Sequence, residues 1–339
     1  MGGKLIKKIN VIIYGCGVMG RKITEALLDK KSFEIVGAVD IDPKLVGMEL
    51  GEILDSPKKL GITIEKDANS LFSKVYAHAV LLTTTSHLKG ILPQITQCVK
   101  ARLNIISTCE ELSFPWKRSP ELAQKIDKLA KKHGVTVVGT GINPGYLMDT
   151  LPLILTAPCL KVDSIKVTRS MNSAKRRIPF QVKIGTGLTQ EEFKKKIDNK
   201  IITGHVGLLE SINMIAEGLG LELDEATELL PEPFISDREI NTGLGTVKAG
   251  NVIGLKSIAF GKKKGKEIIT LEFNANADVD EEYDEIIIKG VPNIHEKIIG
   301  GVNGDIGTVA VTINTIPKAV EAPSGIKVMK DLAPASVTL

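Results

Sequence analysis

The stretch KINVIIYGCGVMG, residues 8–20, decides the fold of the N-terminal half. Residues 8–14 are mainly apolar, which is typical of a strand buried inside a parallel sheet. Residues 15–20 have the spacing Gly-x-Gly-x-x-Gly, and residues 20–30 continue with apolar side chains at helical spacing. A glycine-rich turn that follows a strand and opens a helix indicates a dinucleotide-binding turn.

The same alternation of strands and helices continues outward from this turn. Further short apolar strands are predicted at residues 33–40, 79–85, 104–108 and 135–140, with a helix at 120–133. Continuous apolar strands separated by helices indicate a parallel sheet covered on both faces. We therefore predict an α/β fold, with a Rossmann-type doubly wound parallel sheet, for residues 1–148.

The pattern changes near residue 150, where a second domain is expected. Apolar and polar residues alternate over 162–171, which is typical of a strand with one solvent-exposed face. Helices are predicted at 190–199 and 208–219, and another strand at 285–289. Strands at 252–260 and 267–276 flank a turn at 261–266. This indicates an α+β domain, residues 149–302, on a mostly antiparallel sheet. The segment 303–339, with an apolar helix at 305–316, is expected to pack back on the first domain.

The glycine-rich turn and its neighbours predict the cofactor site. A backbone free of side chains can approach a pyrophosphate, which is then held at the positive end of the following helix. Asp40 ends the second strand, where a carboxylate accepts hydrogen bonds from the ribose of NAD, while Arg21 suits the 2′-phosphate of NADP. The expected cofactor is NAD or NADP, and the candidate cofactor residues are Gly15, Cys16, Gly17, Val18, Met19, Gly20, Asp40, Thr83, Thr84 and Thr85.

Candidate catalytic residues follow the strand at 104–108. Cys109, Glu110 and Glu111 lie at its carboxyl end, the edge of a parallel sheet where ligands bind. A carboxylate there can serve as a general base. The alternative interpretation is that both acids stand in the first turn of a helix, where the helix dipole favours them.

Four polar residues are candidates for contact with a substrate. Asn143 lies in the glycine-rich loop 139–145, which is also open to interpretation as a simple interdomain turn. Arg169 and Asn172 lie on the first strand of the second domain, and His205 stands at the entry to a helix. Arginine is suited to a bidentate grip on a carboxylate. The alternative interpretation is that Arg169 and His205 are satisfied structural residues, as lone arginines and histidines usually are.

Composition limits the classes of partner. The chain of 339 residues has 44 Lys+Arg and 40 Asp+Glu, a net charge of +4, and only 4% aromatic residues. These values give no reason to expect a nucleic acid or a membrane as partner. The 4 cysteines lack the spacing of a zinc or dithiol motif, so we expect no metal, reduced thiols and a cytoplasmic location. A homodimer through the sheet of the second domain is expected.

Three longer motifs make a family resemblance apparent. They are ISTCEELSFPW at residues 106–116, GTGINPGYLMDTLP at 139–152 and NGDIGTVAVTINTIP at 303–317, in addition to GCGVMG at 15–20. With them the chain resembles the family of 2,4-diaminopentanoate dehydrogenases over nearly its whole length. That family belongs with the native amine dehydrogenases and has an N-terminal domain like that of dihydrodipicolinate reductases.

The resemblance implies a reaction and a set of roles. The reaction is the NAD(P)-dependent oxidative deamination of 2,4-diaminopentanoate at C4, in ornithine fermentation, with the reverse reductive amination. A glutamate near the reacting amine is implied to be Glu110 or Glu111, with Glu110 preferred because it is nearer the strand end. The resemblance also implies that Asn143, Arg169, Asn172 and His205 hold the polar end of the amino acid substrate, with Arg169 on its carboxylate.

Other functions remain open from the residues alone. An acylating aldehyde dehydrogenase would use Cys109 as its nucleophile, although no sequence cue identifies a histidine paired with it. A protein that senses NAD(H) without turnover would need only the glycine-rich turn. Lysine biosynthesis is not expected, because the fragment EAPSG at 321–325 lacks the His-His pair that precedes a similar motif in dihydrodipicolinate reductases.

Overall fold

The computed structural model describes residues 8–55 and 57–337. The chain forms two compact units. The first unit contains the chain up to Tyr146 together with the segment from Gly304, and the second unit runs from Leu147 to Asn303. The first unit is thus assembled from both ends of the chain.

The helices and strands of the described residues follow in chain order. In the first unit, strands β1–β6 are Ile9–Tyr14, Phe33–Val39, Ile64–Glu65, Ala79–Leu82, Asn104–Ser107 and Thr136–Gly139, and helices α1–α5 are Val18–Leu28, Ala68–Lys74, Leu88–Lys100, Pro115–Arg118 and Pro120–His133. In the second unit, helices α6–α9 are Thr150–Leu155, Ile178–Lys183, Gln190–Asp198 and Leu208–Gly218, and strands β7–β15 are Lys161–Asn172, Glu225–Glu228, Glu232–Ile235, Ile240–Thr242, Gly245–Val247, Val252–Lys263, Lys266–Asn276, Tyr283–Val291 and Ile294–Ile299. The C-terminal segment contributes helix α10, Gly304–Glu321, and strand β16, Gly325–Lys327.

The first unit is built on a parallel sheet of seven strands among the described residues. Their order is β16-β6-β5-β4-β1-β2-β3, and each neighbouring pair is parallel. Helices α3 and α5 bury apolar side chains against one face, among them Ile91, Ile95 and Ile126. Helix α10 packs against α1 and β5. The doubly wound parallel sheet predicted from the sequence is confirmed.

Helix α5 has the bounds that its sequence predicts. Pro120 occupies the first turn, where its missing N–H costs nothing, and Gly134 ends the helix in the left-handed conformation with φ +70°. Three basic residues in the last turn complement the negative end of the helix dipole. These signals lie within the helix or next to it, so the bounds of α5 can be predicted from the sequence.

The second unit is built on a mixed sheet. Its main strand order is β15-β14-β7-β13-β12-β8, and β9 also pairs with β12. Strands β7 and β13 run parallel, whereas the other described ladders of this sheet are antiparallel. The expected mostly antiparallel sheet is confirmed. Helix α9 packs against β12 and β13.

Two predicted elements have different bounds in the structure. The hairpin turn expected at 261–266 contains only Lys264 and Gly265, both with positive φ, because β12 and β13 extend to it. A two-residue turn of this kind matches the twist of its strands. Helix α10 continues past Pro317, since the buried side chains of Ile313, Ile316 and Ala319 hold its last turns against the unit.

The first unit includes the returning C-terminal segment. Strand β16 pairs in parallel with β6, and the Asp127 carboxylate on α5 accepts the backbone N–H of Ile326 at 3.0 Å. None of the helices in the part of the chain that the structure describes has the length and apolar character needed to cross a membrane.

Candidate active site

The glycine-rich turn stands between β1 and α1. Gly15 has φ +103°, which favours glycine, and the Thr83 hydroxyl donates to its carbonyl oxygen at 2.8 Å. A Cβ atom on Gly20 would lie 1.9 Å from the Gly15 carbonyl oxygen. Glycine is therefore required at both positions, one for the turn and one for the close approach of helix to strand.

This turn fits the phosphates of a dinucleotide. A Cβ on Gly17 would meet nothing within 4 Å among the described residues, so the backbone there is open to a ligand. Gly17 is also the N-cap of α1, and no side chain caps that helix end. The N–H groups of its first turn and the helix dipole are thus available to an anion.

The Asp40 carboxylate is hydrogen-bonded to the glycine-rich turn, a contact that the sequence did not predict. Its Oδ2 accepts the backbone N–H of Cys16 at 2.6 Å, and its Oδ1 accepts that of Asp42 at 2.8 Å. Each carboxylate oxygen retains further acceptor capacity for a ribose hydroxyl. Arg21 lies at the same turn, where its Nε donates to the Cys16 carbonyl at 3.0 Å.

The three threonines after β4 have separate roles. Thr83 holds the Gly15 carbonyl, the hydroxyl of Thr84 donates to the Gln94 side chain at 2.8 Å, and that of Thr85 accepts the N–H of His87 at 3.4 Å. Local hydrogen bonds therefore account for these hydroxyls in the structure, and contacts of Thr83–85 with a cofactor remain a prediction.

The two candidate glutamates lie in one short helical turn after β5, which we call the acidic turn, residues 109–112. The Glu111 carboxylate is engaged: its Oε2 accepts the N–H of Leu88 at 2.8 Å, and its Oε1 lies 3.0 Å from Nδ1 of His87. The half-buried Glu110 carboxylate accepts no hydrogen bond from any residue that the structure describes. The two acids thus differ in their freedom to bind a ligand.

Cys109 is a poor candidate for a nucleophile. Its side chain is buried, and its Sγ donates to the carbonyl oxygen of Ser86 at 3.1 Å. Burial, together with the neighbouring Glu110 and Glu111 carboxylates, raises the pKa of this thiol to about 12. Because the thiolate is the reactive form, this geometry argues against the acylating aldehyde dehydrogenase.

Asn143 stands in the loop that follows β6, the strand next to β5. The loop is held by α10, where the Thr308 hydroxyl accepts the N–H of Ile142 at 3.3 Å. Gly145 has φ +126°, and a Cβ there would lie 2.5 Å from the backbone nitrogen of Gly141. The acidic turn and the Asn143 loop therefore follow neighbouring strands of the parallel sheet.

Arg169 has a partner inside the second unit, and its contact with a substrate carboxylate remains a prediction. It is only 2% exposed, its Nε lies 3.4 Å from the Asp284 carboxylate, and its guanidinium donates to the Val302 carbonyl oxygen. Asp284 accepts the N–H of Val302 at 2.7 Å. Burial lowers the pKa of Arg169 and raises that of Asp284, and their mutual attraction opposes both shifts. This ion pair favours a structural role for Arg169.

Asn172 and His205 lie elsewhere in the second unit. The Asn172 side chain caps a short helical turn by accepting the N–H of Ala174 at 2.9 Å. The His205 ring stacks on Phe273 with ring centroids 4.3 Å apart. The structure thus places the cofactor candidates, both glutamates and Asn143 in the first unit, and Arg169, Asn172 and His205 in the second.

Two residues that pair with candidate side chains were not expected from the sequence. His87 and Asp284 are separated from their partners Glu111 and Arg169 by 24 and 115 residues. No spacing rule connects such pairs, so only the fold reveals them. No group of three or more His, Cys, Asp or Glu side chains within residues 8–55 and 57–337 could hold a metal ion.

Comparisons with known proteins identify the family of the chain. A family model described as 2,4-diaminopentanoate dehydrogenase C-terminal domain matches residues 146–338, and one described as dihydrodipicolinate reductase, N-terminus, matches residues 9–140. A 2,4-diaminopentanoate dehydrogenase from Acetoanaerobium sticklandii is 36% identical over 338 residues, which cover 96% of this chain and 94% of that protein. The chain belongs to the 2,4-diaminopentanoate dehydrogenase family. This confirms the resemblance predicted from the motifs and identifies the chain as a dehydrogenase.

Solved structures support the same family and fold. The amine dehydrogenase from Mycobacterium smegmatis is 25% identical, with a TM-score of 0.84 over 97% of each chain. GenD2 from gentamicin A biosynthesis, solved in complex with NAD, is 15% identical, with a TM-score of 0.54 over 88% of this chain and 74% of that one. At such low identity the second likeness shows the fold alone. The first adds an amine dehydrogenase to the relatives of this family member.

Proposed function

We propose that the chain catalyses the NAD(P)-dependent oxidative deamination of 2,4-diaminopentanoate at C4, giving 2-amino-4-oxopentanoate and ammonia, together with the reverse reductive amination. The 36% identical relative of the same name supports this substrate. The observation that carries the proposal is the Glu110 carboxylate. It stands at the carboxyl edge of the parallel sheet, after a strand two places from the one that ends in the glycine-rich turn.

Glu110 is the proposed general base. An ammonium at C4 binds to its carboxylate and gives up a proton to it, because a protonated amine cannot release hydride from the adjacent carbon. When bound, the nicotinamide supplies the hydride acceptor. Once Glu110 has released that proton to solvent, its carboxylate accepts a proton from the water that attacks the iminium carbon. The proton then passes to the nitrogen, ammonia leaves, and the hydroxyl proton is lost to give the ketone.

The cofactor is proposed to be held at the glycine-rich turn. The open backbone at Gly17 and the uncapped end of α1 receive the pyrophosphate. Asp40 favours the ribose hydroxyls of NAD, and Arg21, tied to the same turn by its Nε, provides a cation for the 2′-phosphate of NADP. We expect both cofactors to support turnover.

The remaining polar candidates are proposed to hold the amino acid end of the substrate. Asn143 follows the strand next to that of Glu110. Asn172 stands at the end of β7, and the His205 ring stacks on Phe273. The carboxylate-binding role is reassigned away from Arg169, which the Asp284 carboxylate already neutralises.

We also propose that this reaction serves ornithine degradation in the cytoplasm. The substrate named for the 36% identical relative supports the metabolic setting. Cys16, Cys98, Cys109 and Cys159 are all free, and free thiols are typical of reducing compartments.

A homodimer through the sheet of the second unit is proposed as well. On the face opposite to Arg169, the Glu272 carboxylate lies 3.3 Å from Lys166 and 3.3 Å from Lys256, and Ile287 is a half-buried apolar neighbour. Light scattering should give twice the chain mass. Ile287→Glu should halve that mass without loss of helix or strand content, and an unchanged dimer would refute this face.

The test of the reaction is an absorbance assay at the reduced-nicotinamide band with the purified full chain. We expect turnover of 2,4-diaminopentanoate with NAD and with NADP, and rates at least about tenfold lower with ornithine, lysine and short amines. Mass spectrometry should identify 2-amino-4-oxopentanoate. Cys109→Ala should retain the rate, whereas an acylating aldehyde dehydrogenase would lose it. Binding of NADH without turnover of any amine would instead indicate a sensor.

A further inference from the structure

Four contacts join the acidic turn to the segment that follows the neighbouring strand β4. The Cys109 thiol and the Glu111 N–H both donate to the Ser86 carbonyl oxygen, at 3.1 and 3.2 Å. The Glu111 carboxylate accepts the Leu88 N–H at 2.8 Å and contacts His87 at 3.0 Å. The segment after β4, residues 83–88, which we call the threonine loop, is thus fastened to the acidic turn.

The Glu111 carboxylate also serves as a helix cap that is remote in sequence. Leu88 is the first residue of α3, and the N-cap residue His87 provides no side-chain cap for that helix. Glu111 satisfies one of the N–H groups that a helix leaves open, from 23 residues away. Its negative charge also lies at the positive end of the helix dipole.

The opposite side of the acidic turn rests on β6. A Cβ on Gly139 would lie 2.5 Å from the carbonyl carbon of Leu112 and 2.6 Å from the nitrogen of Ser113. The turn is therefore held between the threonine loop and the backbone of a second neighbouring strand. Of the two acidic side chains in this clamped turn, only that of Glu110 is left without a donor among the described residues.

We propose that Glu111 is a positioning residue, which holds the base Glu110 in register with the threonine loop. This inference rests on the proposed function, because it takes Glu110 as the base. Residues 83–85 of that loop are the predicted cofactor contacts, so one carboxylate fixes the distance between the base and the cofactor side of the site. Rates of oriented reactions fall steeply when reacting groups move by about 1 Å.

The two glutamates therefore differ in what can replace them. A base at position 110 must accept a proton, which an amide cannot do at neutral pH. The cap at position 111 must only accept the N–H of Leu88, and the side-chain carbonyl of glutamine has the length to do so. Aspartate keeps the charge at 111 but is one methylene too short to reach.

The experiment compares Glu111→Gln, Glu111→Asp, Glu111→Ala and Glu110→Gln in the full-length enzyme. We expect kcat for 2,4-diaminopentanoate to stay within about threefold of wild type for Glu111→Gln. It should fall at least about 20-fold for Glu111→Asp and Glu111→Ala, and about 100-fold for Glu110→Gln. NADH affinity, followed by its fluorescence, should change less than about threefold in all four, so that the loss appears in kcat.

Two variants serve as controls. Glu192→Ala removes another carboxylate that accepts a backbone N–H at a helix start, that of Thr189 before α8, and should leave kcat unchanged. His87→Ala should lower kcat less than about threefold, because the exposed histidine contributes little to its ion pair. Thermal unfolding of each variant separates a local effect from loss of the fold.

The outcomes distinguish this inference from the proposed function. A fully active Glu111→Asp or Glu111→Ala, with Glu110→Gln inactive, would overturn the positioning role alone. An inactive Glu111→Gln with an active Glu110→Gln would make Glu111 the base. If Glu111→Ala does not fold, the difference in kcat between Glu111→Gln and Glu111→Asp still tests the positioning role. A wild-type enzyme that does not turn over 2,4-diaminopentanoate would refute the proposed function itself.

Discussion

At the residue scale, Asp40 combines two demands in one side chain. It closes the glycine-rich turn through the N–H of Cys16, and it stands where a ribose is expected. A carboxylate that is hydrogen-bonded to backbone is held in one orientation, which favours recognition of a ligand by its remaining lone pairs. Cofactor preference and turn stability should therefore change together when this residue is replaced.

Asp40→Ala should raise the ratio of kcat/KM for NADP to that for NAD by at least about tenfold. The charge that repels a 2′-phosphate is removed, and hydrogen bonds to charged groups contribute about 1.5–3 kcal/mol. Steady-state rates with both cofactors measure the ratio. Arg21→Ala instead removes the cation proposed for the 2′-phosphate and should lower this ratio. An unchanged ratio in Asp40→Ala would count against the ribose role.

Arg169 is predicted to stabilise the second unit rather than to bind substrate. Arg169→Leu leaves Asp284 buried without its cation and should lower the free energy of unfolding by about 3–5 kcal/mol. Urea denaturation measures this loss. Lys194→Leu breaks the exposed pair with Asp198 and should cost less than about 1 kcal/mol. A stable Arg169→Leu whose only defect is a raised KM would restore the substrate role.

At the element scale, the acidic turn depends on the strand beneath it. Gly139→Ala places a methyl group against the backbone of Leu112 and Ser113, which cannot rotate away. Such overpacking costs about 1–3 kcal/mol, and here it also displaces Glu110. We expect a lower unfolding midpoint and a fall in kcat of at least about tenfold, measured by calorimetry and the absorbance assay.

Gly37→Ala is the control for this substitution. The three atoms nearest to a Cβ at Gly37, on β2 of the same sheet, would all belong to the Leu71 side chain, the nearest at 2.8 Å. That side chain can adjust, so kcat should stay within about twofold of wild type. Equal effects of the two substitutions would show that the close approach at Gly139 has no special relation to the base.

Elements with local signals were predictable from the sequence, and others were not. Helix α5 has a proline at its start and a glycine at its end, so its bounds can be predicted from the sequence. Helix α3 has Pro93 inside it and takes its cap from Glu111, so its start has no local signal. Strand β16 has three residues and exists only because β6 lies beside it.

At the scale of the whole molecule, helix α10 completes the first unit from the far end of the chain. Ile313→Ala removes a fully buried side chain and should lower the free energy of unfolding by about 2–5 kcal/mol and weaken NADH binding. Ile306, on the same helix, is 69% exposed, so Ile306→Ala should cost less than about 0.5 kcal/mol. Urea unfolding compares them, and equal losses would contradict this role.

Buried thiols should make the fold sensitive to alkaline pH. Burial raises the pKa of Cys16 to about 12 and that of Cys98 well above its usual range. Unfolded thiols ionise near pH 8.5, so above that pH the native state binds more protons and stability falls as pH rises. Each thiol contributes a loss of about 2 kcal/mol between pH 8 and pH 10.

Unfolding in urea at these two pH values tests this, under reducing conditions. The loss between pH 8 and pH 10 should be about 2 kcal/mol smaller in Cys98→Ala than in wild type. Cys159, which is not buried, provides the control, since Cys159→Ala should show the wild-type loss. An identical loss in wild type and Cys98→Ala would mean that the Cys98 thiol ionises in the native state.

The sequence by itself determined the parallel sheet, the glycine-rich turn and the family. Those features depend on short-range patterns: apolar strands, glycine spacing and contiguous motifs that a single stretch of chain displays. Tertiary structure alone decided the partners of each charged side chain. Glu111 and Arg169 are used for a helix cap and a buried ion pair, because burial makes an unpartnered charge or N–H costly and the fold brings a partner from a distant segment. Glu110 stays available because no described segment provides it with a donor.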